Sequence, residues 1–358
     1  MEQENKEKTV YYDGTKLLNK LDLNNEKPSI FLCNSNRSAG KTTFFLKRQL
    51  EHFRKTGRKT ILLYRNQYEI GSANLIYTDV LRLNPDLAQD EEMTIESRAK
   101  GLFCELFLGK NSFGYVLYMN NTQDKMKKYS PLFAEVDNVF FDEYQLESGK
   151  YLPNEINAFQ SILLTIARGG GYQSRYIEVV LCANNVTIMN PYFIMFGIHK
   201  RLKSDTKFLR GNGWVAEFSF NESASKAIKE NGLYKAFADT SYMNYSTENV
   251  YLHDEMVFLT SPSGKCKYLF TILYDGKQYG VREYPLLGIL HVSQKPDKTC
   301  KTVLTFKAKD HNQNTMMLNH YSFTWKYLKD AFLIGALRFD NVESKSVIFD
   351  ILAVDLYK

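Results

Sequence analysis

One segment near the start of the chain carries groups suited to binding a phosphate chain. Small residues let backbone N–H groups surround phosphates, and a helix that begins there adds partial positive charge. Lys41 would neutralise the β- and γ-phosphates, and the Thr42 hydroxyl would bind Mg²⁺. Ser35 stands where the usual pattern has glycine. The segment predicts a P-loop that consists of Ser35, Asn36, Arg37, Ser38, Ala39, Gly40, Lys41 and Thr42.

An acidic pair, Asp142 and Glu143, directly follows the apolar run 139–141. At the end of a buried strand, Asp142 would hold Mg²⁺, directly or through water, and Glu143 would polarise an attacking water as a general base. The alternative is a solvated pair of acids where a strand reaches the surface. The P-loop earlier in the chain favours a Walker B element, and therefore a site that hydrolyses ATP.

Two further polar residues allow two interpretations each. Arg168 precedes three glycines at the predicted end of a helix. It is either an ordinary helix cap or an arginine finger that reaches the γ-phosphate bound by a neighbouring subunit. The segment Cys182-Ala183-Asn184-Asn185 ends the predicted strand that follows the acidic pair. A polar residue in this segment either forms a strand-ending turn or senses the γ-phosphate. The residues alone leave both questions open.

Strands and helices alternate in the part of the chain that must position these groups. Helical stretches are predicted at Thr42–Thr56 and Asn154–Ala167, where apolar residues recur at helical spacing. Short apolar runs predict buried strands at 30–33, 60–64, 115–119, 139–141 and 177–182. The alternation predicts an α/β fold with a mostly parallel sheet.

The second half of the chain has a different pattern. The runs 268–274 and 278–284 flank Asp275-Gly276, which is a tight-turn signal for a hairpin. Helices are predicted at 222–239 and near 321–337, which together with the hairpin indicate a smaller α+β domain. The predicted organisation is an N-terminal arm (1–28), a P-loop ATPase domain (29–210), a linker region (211–250) and a C-terminal domain (251–358).

Composition restricts the class of protein. The chain has 358 residues, 44% of them hydrophobic, which suggests about two domains. No apolar run approaches the roughly 20 residues that cross a bilayer, and the polar start does not fit a signal peptide, so no membrane partner is expected. Five cysteines without a C-x-x-C pair fit a reducing cytoplasm.

A net charge of +6 permits a polyanionic partner without requiring one. The densest basic stretch lies either in a solvated connector or on a surface that grips a polyanion. It contains Lys200, Arg201, Lys203, Lys207 and Arg210.

The segments around these motifs resemble the DNA-encapsidation ATPases of phi-29-type small tailed bacteriophages. The stretch 139–193 is the most specific, because it holds the acidic pair, Tyr151–Glu155, Arg168 and Asn185–Phe193 in family order. The similarity continues to the end of the motor core and beyond, through 267–270, 280–281, 314–318 and 337–341.

The resemblance implies a genome-packaging motor of the additional-strand, catalytic-glutamate class of P-loop NTPases. In that family a ring of subunits, expected to be a pentamer, uses ATP and Mg²⁺ to drive double-stranded DNA into a procapsid. The implied partners are double-stranded DNA, the portal and procapsid, other copies of the chain and, in some relatives, a phage-encoded packaging RNA. The implied location is the portal vertex of the procapsid, in the host cytoplasm.

The resemblance also assigns roles to residues. By this similarity the Walker A pair is Lys41 and Thr42, the Walker B acid is Asp142 and the catalytic glutamate is Glu143. The trans-acting finger is Arg168, and the sensor is Asn185. Arg37 matches an arginine inside the P-loop that contacts phosphate or Glu143, and Lys128, in preference to Lys127, matches a functional lysine before Walker B.

The C-terminal domain resembles an RNase H-type nuclease that has lost its catalytic acids. A two-metal nuclease needs several converging carboxylates, and the predicted first strand, 268–274, has none. We therefore expect a docking domain. Three alternatives stay open at this point: another P-loop motor such as a helicase, a nuclease-bearing terminase, or a nucleotide-gated structural ring at the portal.

Overall fold

The computed structural model describes residues 11–120, 126–147, 151–152, 154–168, 173–188, 190–202, 206–237, 246, 262–318, 322–334 and 336–353. The strands in these ranges are β1 (Ile30–Ser35), β2 (Lys59–Tyr64), β3 (Met93–Arg98), β4 (Phe103–Leu108), β5 (Asn111–Tyr118), β6 (Val136–Phe141), β7 (Glu178–Asn184), β8 (Phe208–Gly211), β9 (Trp214–Phe218), β10 (Lys267–Tyr274), β11 (Lys277–Tyr284), β12 (Ile289–Ser293), β13 (Val303–Thr305), β14 (Met316–Met317) and β15 (Leu337–Phe339).

The α-helices in the same ranges are α1 (Thr15–Leu18), α2 (Lys41–Thr56), α3 (Asn74–Leu83), α4 (Pro85–Ala88), α5 (Glu155–Ala167), α6 (Pro191–Met195), α7 (Ile198–Arg201), α8 (Glu222–Glu230), α9 (Gly232–Lys235), α10 (Phe323–Leu333) and α11 (Val342–Ala353). Short 3₁₀ segments lie at Gln67–Ser72, Lys127–Glu135, Pro285–Leu287 and Ala308–Asp310. Within this described part of the chain, no helix is both long and apolar enough to span a membrane.

A nine-stranded sheet organises the first half of the chain. Its strand order is β3-β4-β5-β2-β6-β7-β1-β9-β8. The six adjacent strands β5-β2-β6-β7-β1-β9 run parallel to one another, and the antiparallel pairs lie at the two edges of the sheet. Because parallel strands need a crossover between them, helices such as α2 and α5 connect strands along the chain. The predicted α/β fold with a mostly parallel sheet is confirmed.

The position of β7 determines the class of this sheet. It lies between β1, which precedes the loop at residues 36–40, and β6, which ends before the acidic pair. A strand inserted between these two is the additional strand that gives the predicted class of P-loop NTPases its name. Asn184, its last residue, is in register with the last residue of β1, Ser35. The carboxyl ends of β1, β6 and β7 therefore lie beside one another along the same edge of the sheet, where parallel strands end.

Alternating side chains of β6 anchor helices on the two faces of this sheet. The ring of Phe140 lies 5.9 Å from that of Phe45 on α2, and the ring of Phe141 lies 6.2 Å from that of Phe159 on α5. All four rings are buried. Successive residues of a strand point to opposite faces, so α2 and α5 pack on opposite sides of the strand that leads to Asp142.

Described residues fall into two units that differ from the predicted boundaries. The first comprises 11–185 and 202–246, and the second comprises 186–201 and 262–353. Residues 211–218, predicted to belong to a linker, instead complete the nine-stranded sheet through β8 and β9. Residues 11–28 are not simply an arm, because Tyr12 and Leu17 are buried in the core of the first unit. Residues 1–10 lie outside the described part.

A six-stranded sheet forms the second unit, in the order β14-β13-β10-β11-β12-β15. β10, β11 and β12 form an antiparallel meander, and β13 and β14 continue from β10 in parallel. Asp275 and Gly276 both adopt left-handed backbone angles in the turn of the predicted hairpin. This sheet, with α10 and α11, agrees with the predicted RNase H-like domain. The basic stretch 200–210 is divided, since Arg201 belongs to the second unit and Arg210 to β8, and Lys203 is not described.

Candidate functional site

The loop between β1 and α2 has the backbone of a phosphate-binding turn. Ser38 and Gly40 adopt left-handed φ angles of 56° and 91°, and α2 begins at Lys41. Left-handed backbone costs little for glycine and more for serine, so the loop is held in a strained form by its surroundings. The N-terminal N–H groups of the 16-residue helix α2 point toward the loop.

Ser35 occupies the position where the usual pattern has glycine, and its place in the fold explains why serine is accepted. It is the last residue of β1 and is fully buried, with an extended backbone that needs no glycine. Its hydroxyl donates to the carbonyl of Asn36 (3.3 Å) and lies 3.4 Å from the ammonium of Lys41. The β-carbon therefore points into the supporting structure of the loop.

Lys41 is held by oxygen atoms on both sides of the loop. Its Nζ donates to the carbonyls of Ser35 (3.3 Å) and Asn36 (2.9 Å) and to the side-chain amide oxygen of Asn184 (3.1 Å). The side chain is 7% exposed, and burial lowers the pKa of its ammonium. The nearby carboxylate of Asp142 opposes that shift, which favours the charged form needed to bind phosphate.

Thr42 and Asp142 are joined directly across the ends of α2 and β6. The Thr42 hydroxyl donates to Oδ2 of Asp142 at 2.6 Å, and the Glu143 backbone N–H donates to Oδ1 at 3.0 Å. Burial raises the pKa of Asp142, whereas these two bonds and Lys41 lower it. A hydroxyl and a carboxylate are oxygen donors of the kind Mg²⁺ prefers, so these two side chains fit the predicted metal site.

Glu143 is the exposed member of the acidic pair and has a strained backbone. Its φ is 53°, a left-handed value that is uncommon for a residue with a side chain. The pKa of its carboxyl is raised, first by partial burial and then by the charges of Asp142 and Glu147. Together with Arg37 and Asn184 it lines a cavity of about 380 Å³ above the loop. A raised pKa suits a group that accepts a proton near neutral pH.

Arg65 connects the Glu143 turn to α5, although no motif in the sequence marks it as a functional residue. Its guanidinium donates to the backbone carbonyls of Glu143 (2.9 Å) and Tyr144 (2.5 Å). The same group pairs with both carboxylate oxygens of Glu155 at 2.9 and 3.0 Å, and both side chains are at least 95% buried. A planar fork with five donors can make all these bonds at once, so Arg65 fixes the strained turn that carries Glu143.

Three other residues of the loop, Asn36, Arg37 and Ala39, bond to neighbouring segments. The Asn36 side chain donates to the carbonyl of Asn221 (3.1 Å) and accepts from its N–H (2.8 Å), which ties the loop to the N-terminus of α8. Arg37 donates to Glu147 at 2.7 Å, in a half-exposed ion pair beside the cavity. The carbonyl of Ala39 accepts from the N–H of Tyr12 at 2.8 Å. Asn36 and Ala39 therefore support the loop, whereas Arg37 faces the cavity.

Asn184, one residue before the predicted sensor, touches the loop. Its amide oxygen accepts from Lys41, and it lines the cavity. Asn185 follows β7 and is 3% exposed. β7 ends two residues beyond the apolar run that predicted it, and its register with β1 places Asn184 opposite Ser35. The sensor role was assigned to Asn185 by resemblance; the described geometry makes Asn184 an additional candidate.

Lys128 and Arg168 lie together at another part of the first unit. The Ser130 hydroxyl donates to the carbonyl of Arg168 (3.3 Å), which joins the 3₁₀ segment that carries Lys128 to the C-terminal end of α5. Both basic side chains are exposed, and neither is among the described residues that line the cavity. The ammonium of Lys128 lies 5.3 Å from the ring centre of Tyr129. The glycines 169–171 that follow Arg168 lie outside the described residues.

Comparisons with known proteins identify the family of this chain. A family model described as "Podovirus DNA encapsidation protein (Gp16)" matches residues 6–355. The chain belongs to this family. The DNA packaging protein of Bacillus phage phi29 is 23% identical to it over 319 residues, which is 88% of this chain and 90% of that protein. The resemblance found in the sequence is thereby confirmed.

Two solved structures share the fold of the family over nearly the full chain. One is a chain of the bacteriophage Phi-29 viral genome packaging motor assembly, with a TM-score of 0.55 and 21% identity over 97% of this chain and 99% of that one. The other is the Phi-28 gp11 DNA packaging motor, with a TM-score of 0.57 and 16% identity over 98% of each chain. At these identities the similarity establishes the fold, so residue roles must be argued from the site.

Proposed function

We propose that this chain is the ATP-hydrolysing subunit of a motor that packages double-stranded DNA into a viral procapsid. One observation carries the proposal. In a member of the DNA encapsidation family, Lys41, Thr42, Asp142, Glu143 and Asn184 converge on one cavity at the ends of β1, β6 and β7. Ligands of α/β sheets bind at this edge, and these residue types match the charge of a nucleoside triphosphate with its metal ion.

Each residue of the site has a part in hydrolysis. The loop N–H groups and Lys41 hold the phosphates, and Lys41 exchanges its bonds to backbone carbonyls for bonds to phosphate oxygens. Thr42 and Asp142 would hold Mg²⁺, and the ion would supply positive charge that neutralises the phosphates. Glu143 accepts a proton from the attacking water, and Arg65 keeps the turn that carries Glu143 in place. The sensor of the γ-phosphate is Asn184, through its contact with Lys41, or Asn185 beside it.

A neighbouring copy of the chain completes the site. Arg168 lies one helix length, about 20 Å, from the end of α5 that contacts the Glu143 turn through Arg65. A side chain at that distance cannot reach the phosphate of its own subunit. We expect the subunits to form a closed ring, a pentamer. In this ring the exposed surface that carries Arg168 and Lys128 faces the site of the next subunit, where both residues stabilise transition-state charge. An arginine supplied in this way is worth roughly 10³–10⁵ in rate.

The partners follow from the relatives, which are a DNA packaging protein and chains of packaging motors. We propose that basic residues around the ring channel bind DNA phosphates without reading bases, as a motor that accepts any sequence requires. The second unit serves as a docking domain toward the portal or a packaging RNA. Neither β10 nor β13, which are parallel neighbours in its sheet, contains an acid, which is why we do not propose a nuclease. The motor acts at the portal vertex in the host cytoplasm.

Mixing two inactive variants tests this proposal. Glu143→Gln subunits keep the finger, and Arg168→Ala subunits keep the base. In an equal mixture, about one quarter of ring interfaces combine an intact Glu143 with an intact Arg168, so DNA-dependent ATP hydrolysis should return to about that fraction. Mixing either variant with the double variant is the matched control and should restore nothing. No recovery at any ratio, from variants that still bind nucleotide, would contradict a site shared between subunits.

A further inference from the structure

A tyrosine outside the P-loop forms part of the cavity wall. The side chain of Tyr11 lines the cavity together with Gly40 and Thr43. It packs so closely on the loop that a β-carbon at Gly40 would lie 3.1 Å from its Cδ1. At the same time, 68% of Tyr11 is exposed. An aromatic ring that rests on a phosphate loop and leaves most of its surface open has room for a second flat group.

The chain holds Tyr11 in this place through its neighbour. The N–H of Tyr12 donates to the carbonyl of Ala39 in the loop, at 2.8 Å. The Tyr12 hydroxyl donates to the carboxylate of Glu217 at 2.5 Å, and its buried ring lies edge-on to Phe44, 5.8 Å away between ring centres. Tyr12 therefore fixes the backbone of this segment to the loop, and Tyr11 is prepositioned although its own side chain is exposed.

The residues that line the cavity fall into two groups of different chemistry. Asp142, Glu143 and Asn184 form the first group, and the terminal phosphate must lie beside them if Glu143 is to activate water against it. Tyr11, Gly40 and Thr43 form the second group, and Tyr11 is the one aromatic side chain among the described residues of the lining. A base attached to the other end of the triphosphate therefore has Tyr11 as its aromatic partner in this cavity.

We propose that Tyr11 is the base-stacking residue of this site, and that the ligand is a nucleoside triphosphate whose base lies against the open side of the ring. This inference rests on the proposed function, since it takes the loop as a nucleotide site. Every base has a π-face, so a stack of this kind adds affinity without selecting one base. The contact explains why the segment before β1 is anchored to the loop, which the chemistry at Glu143 does not require.

Titration calorimetry of the full chain with Mg²⁺ present tests the proposal, using ATPγS and inorganic tripolyphosphate as the two probes. Tyr11→Ala should weaken ATPγS binding about tenfold, the effect of removing one base–aromatic stack, and leave tripolyphosphate binding within about twofold. Tyr11→Phe keeps the ring and should bind both probes like the unmodified chain. Tyr68→Ala is the matched control, because Tyr68 is an 83% exposed tyrosine outside the described cavity lining.

The outcomes separate this inference from the proposed function. Unchanged ATPγS affinity in Tyr11→Ala would overturn the stacking role while leaving the nucleotide site intact. An equal loss of both probes in Tyr11→Ala would also overturn it, since the tyrosine would then only shape the loop. If the unmodified chain binds neither probe better than Lys41→Ala does, the nucleotide site itself fails, and the inference fails with it.

Discussion

The two sheets of this protein both contain parallel strands, but the side chains that these strands position differ. In the first unit, β1, β6 and β7 lead directly to charged and polar side chains that bond to one another, among them Lys41, Asp142 and Asn184. In the second unit, β10 and β13 are also parallel neighbours, but their buried residues are apolar or carry only hydroxyls, such as Ile272, Leu304 and Thr305. A parallel pair of strands thus supplies a place for a site without supplying its chemistry.

The two units also differ in backbone strain and in the pKa values of their charged side chains. The first unit keeps a buried ammonium at Lys41, a raised pKa at Asp142 and a left-handed backbone at Glu143. Strain and shifted pKa values of this kind concentrate at functional sites, where the surrounding structure must maintain them. In the second unit, the carboxyl group of Asp275 is exposed, and ion pairs with Lys307 and Lys309 lower its pKa. The strained backbone and the buried charged groups therefore lie in the first unit, where we propose catalysis.

Among changes to the residues that one subunit contributes to its own site, the largest expected effect comes from Glu143→Gln. Removing the general base should lower the rate of ATP hydrolysis about 10²–10⁴-fold, while nucleotide binding stays within a few-fold. Steady-state hydrolysis and calorimetric binding to the same preparation measure both quantities. Glu147→Gln, which also removes a carboxylate beside the cavity, is the matched control and should retain most of the rate. Retained hydrolysis in Glu143→Gln would remove Glu143 from its catalytic role.

Arg65→Lys should have the next largest effect. Lysine preserves a charge for the buried Glu155 but cannot also hold the carbonyls of Glu143 and Tyr144, so the catalytic turn loosens. Misplacement of a catalytic group by about 1 Å costs as much as 10²-fold, so we expect hydrolysis to fall about 10- to 100-fold with little change in nucleotide affinity.

Arg65→Gln is a separate test of the buried pair. It leaves the Glu155 carboxylate without its partner and should destabilise the first unit by about 3–5 kcal/mol. Arg65→Gln combined with Glu155→Gln should recover part of this stability without recovering activity. If Arg65→Lys hydrolyses ATP at the normal rate, Arg65 supports the fold only.

A smaller effect is expected in the pH dependence of hydrolysis. The pKa of Glu143 is raised by burial and by Asp142, and a general base must be deprotonated to act. The rate should therefore fall as the pH falls through this pKa, at a pH above the ordinary glutamate value of about 4.3. Circular dichroism at each pH controls for unfolding. An acid limb at or below about pH 4.3 would mean that the site does not shift this group.

The smallest effect is expected in the second unit. Asp275→Asn removes two exposed ion pairs but retains a residue type that accepts the left-handed backbone of the turn. Exposed pairs contribute little, so the melting temperature should change by no more than about 2 °C and ATP hydrolysis should not change. Asp275→Ala should destabilise more, because alanine tolerates this backbone less well. A large loss of hydrolysis in Asp275→Asn would contradict the division of roles between the two units.

Strong local patterns explain which parts were predictable. The strands around Leu32, Leu62 and Phe140 are continuous apolar runs, and the Asp275-Gly276 turn follows from its dipeptide, so these elements were predicted correctly. The edge strands β3 and β8 have mixed exposure and no clear alternation, so they were missed. Edge strands are decided by pairing with a neighbour more than by their own residues.

The site was predictable only where its residues are adjacent in sequence. The P-loop and the acidic pair each form one continuous motif. Arg65 could not be found in this way, because its partners Glu143, Tyr144 and Glu155 lie 78, 79 and 90 residues away. Its one sequence signal is a charged residue directly after a buried strand. The sequence could not show which residue of the segment 182–185 contacts Lys41, because strand register rather than hydrophobicity decides that it is Asn184.

The central claim is that neighbouring copies of the chain complete one another's sites and that DNA stimulates them. The most direct test is the rate of ATP hydrolysis per subunit, measured over a wide range of protein concentrations with and without double-stranded DNA. We expect the rate to rise with concentration, as subunits meet, and to rise further with DNA. A measurable rate that is independent of both would show a self-contained ATPase and would contradict the role of Arg168 between subunits.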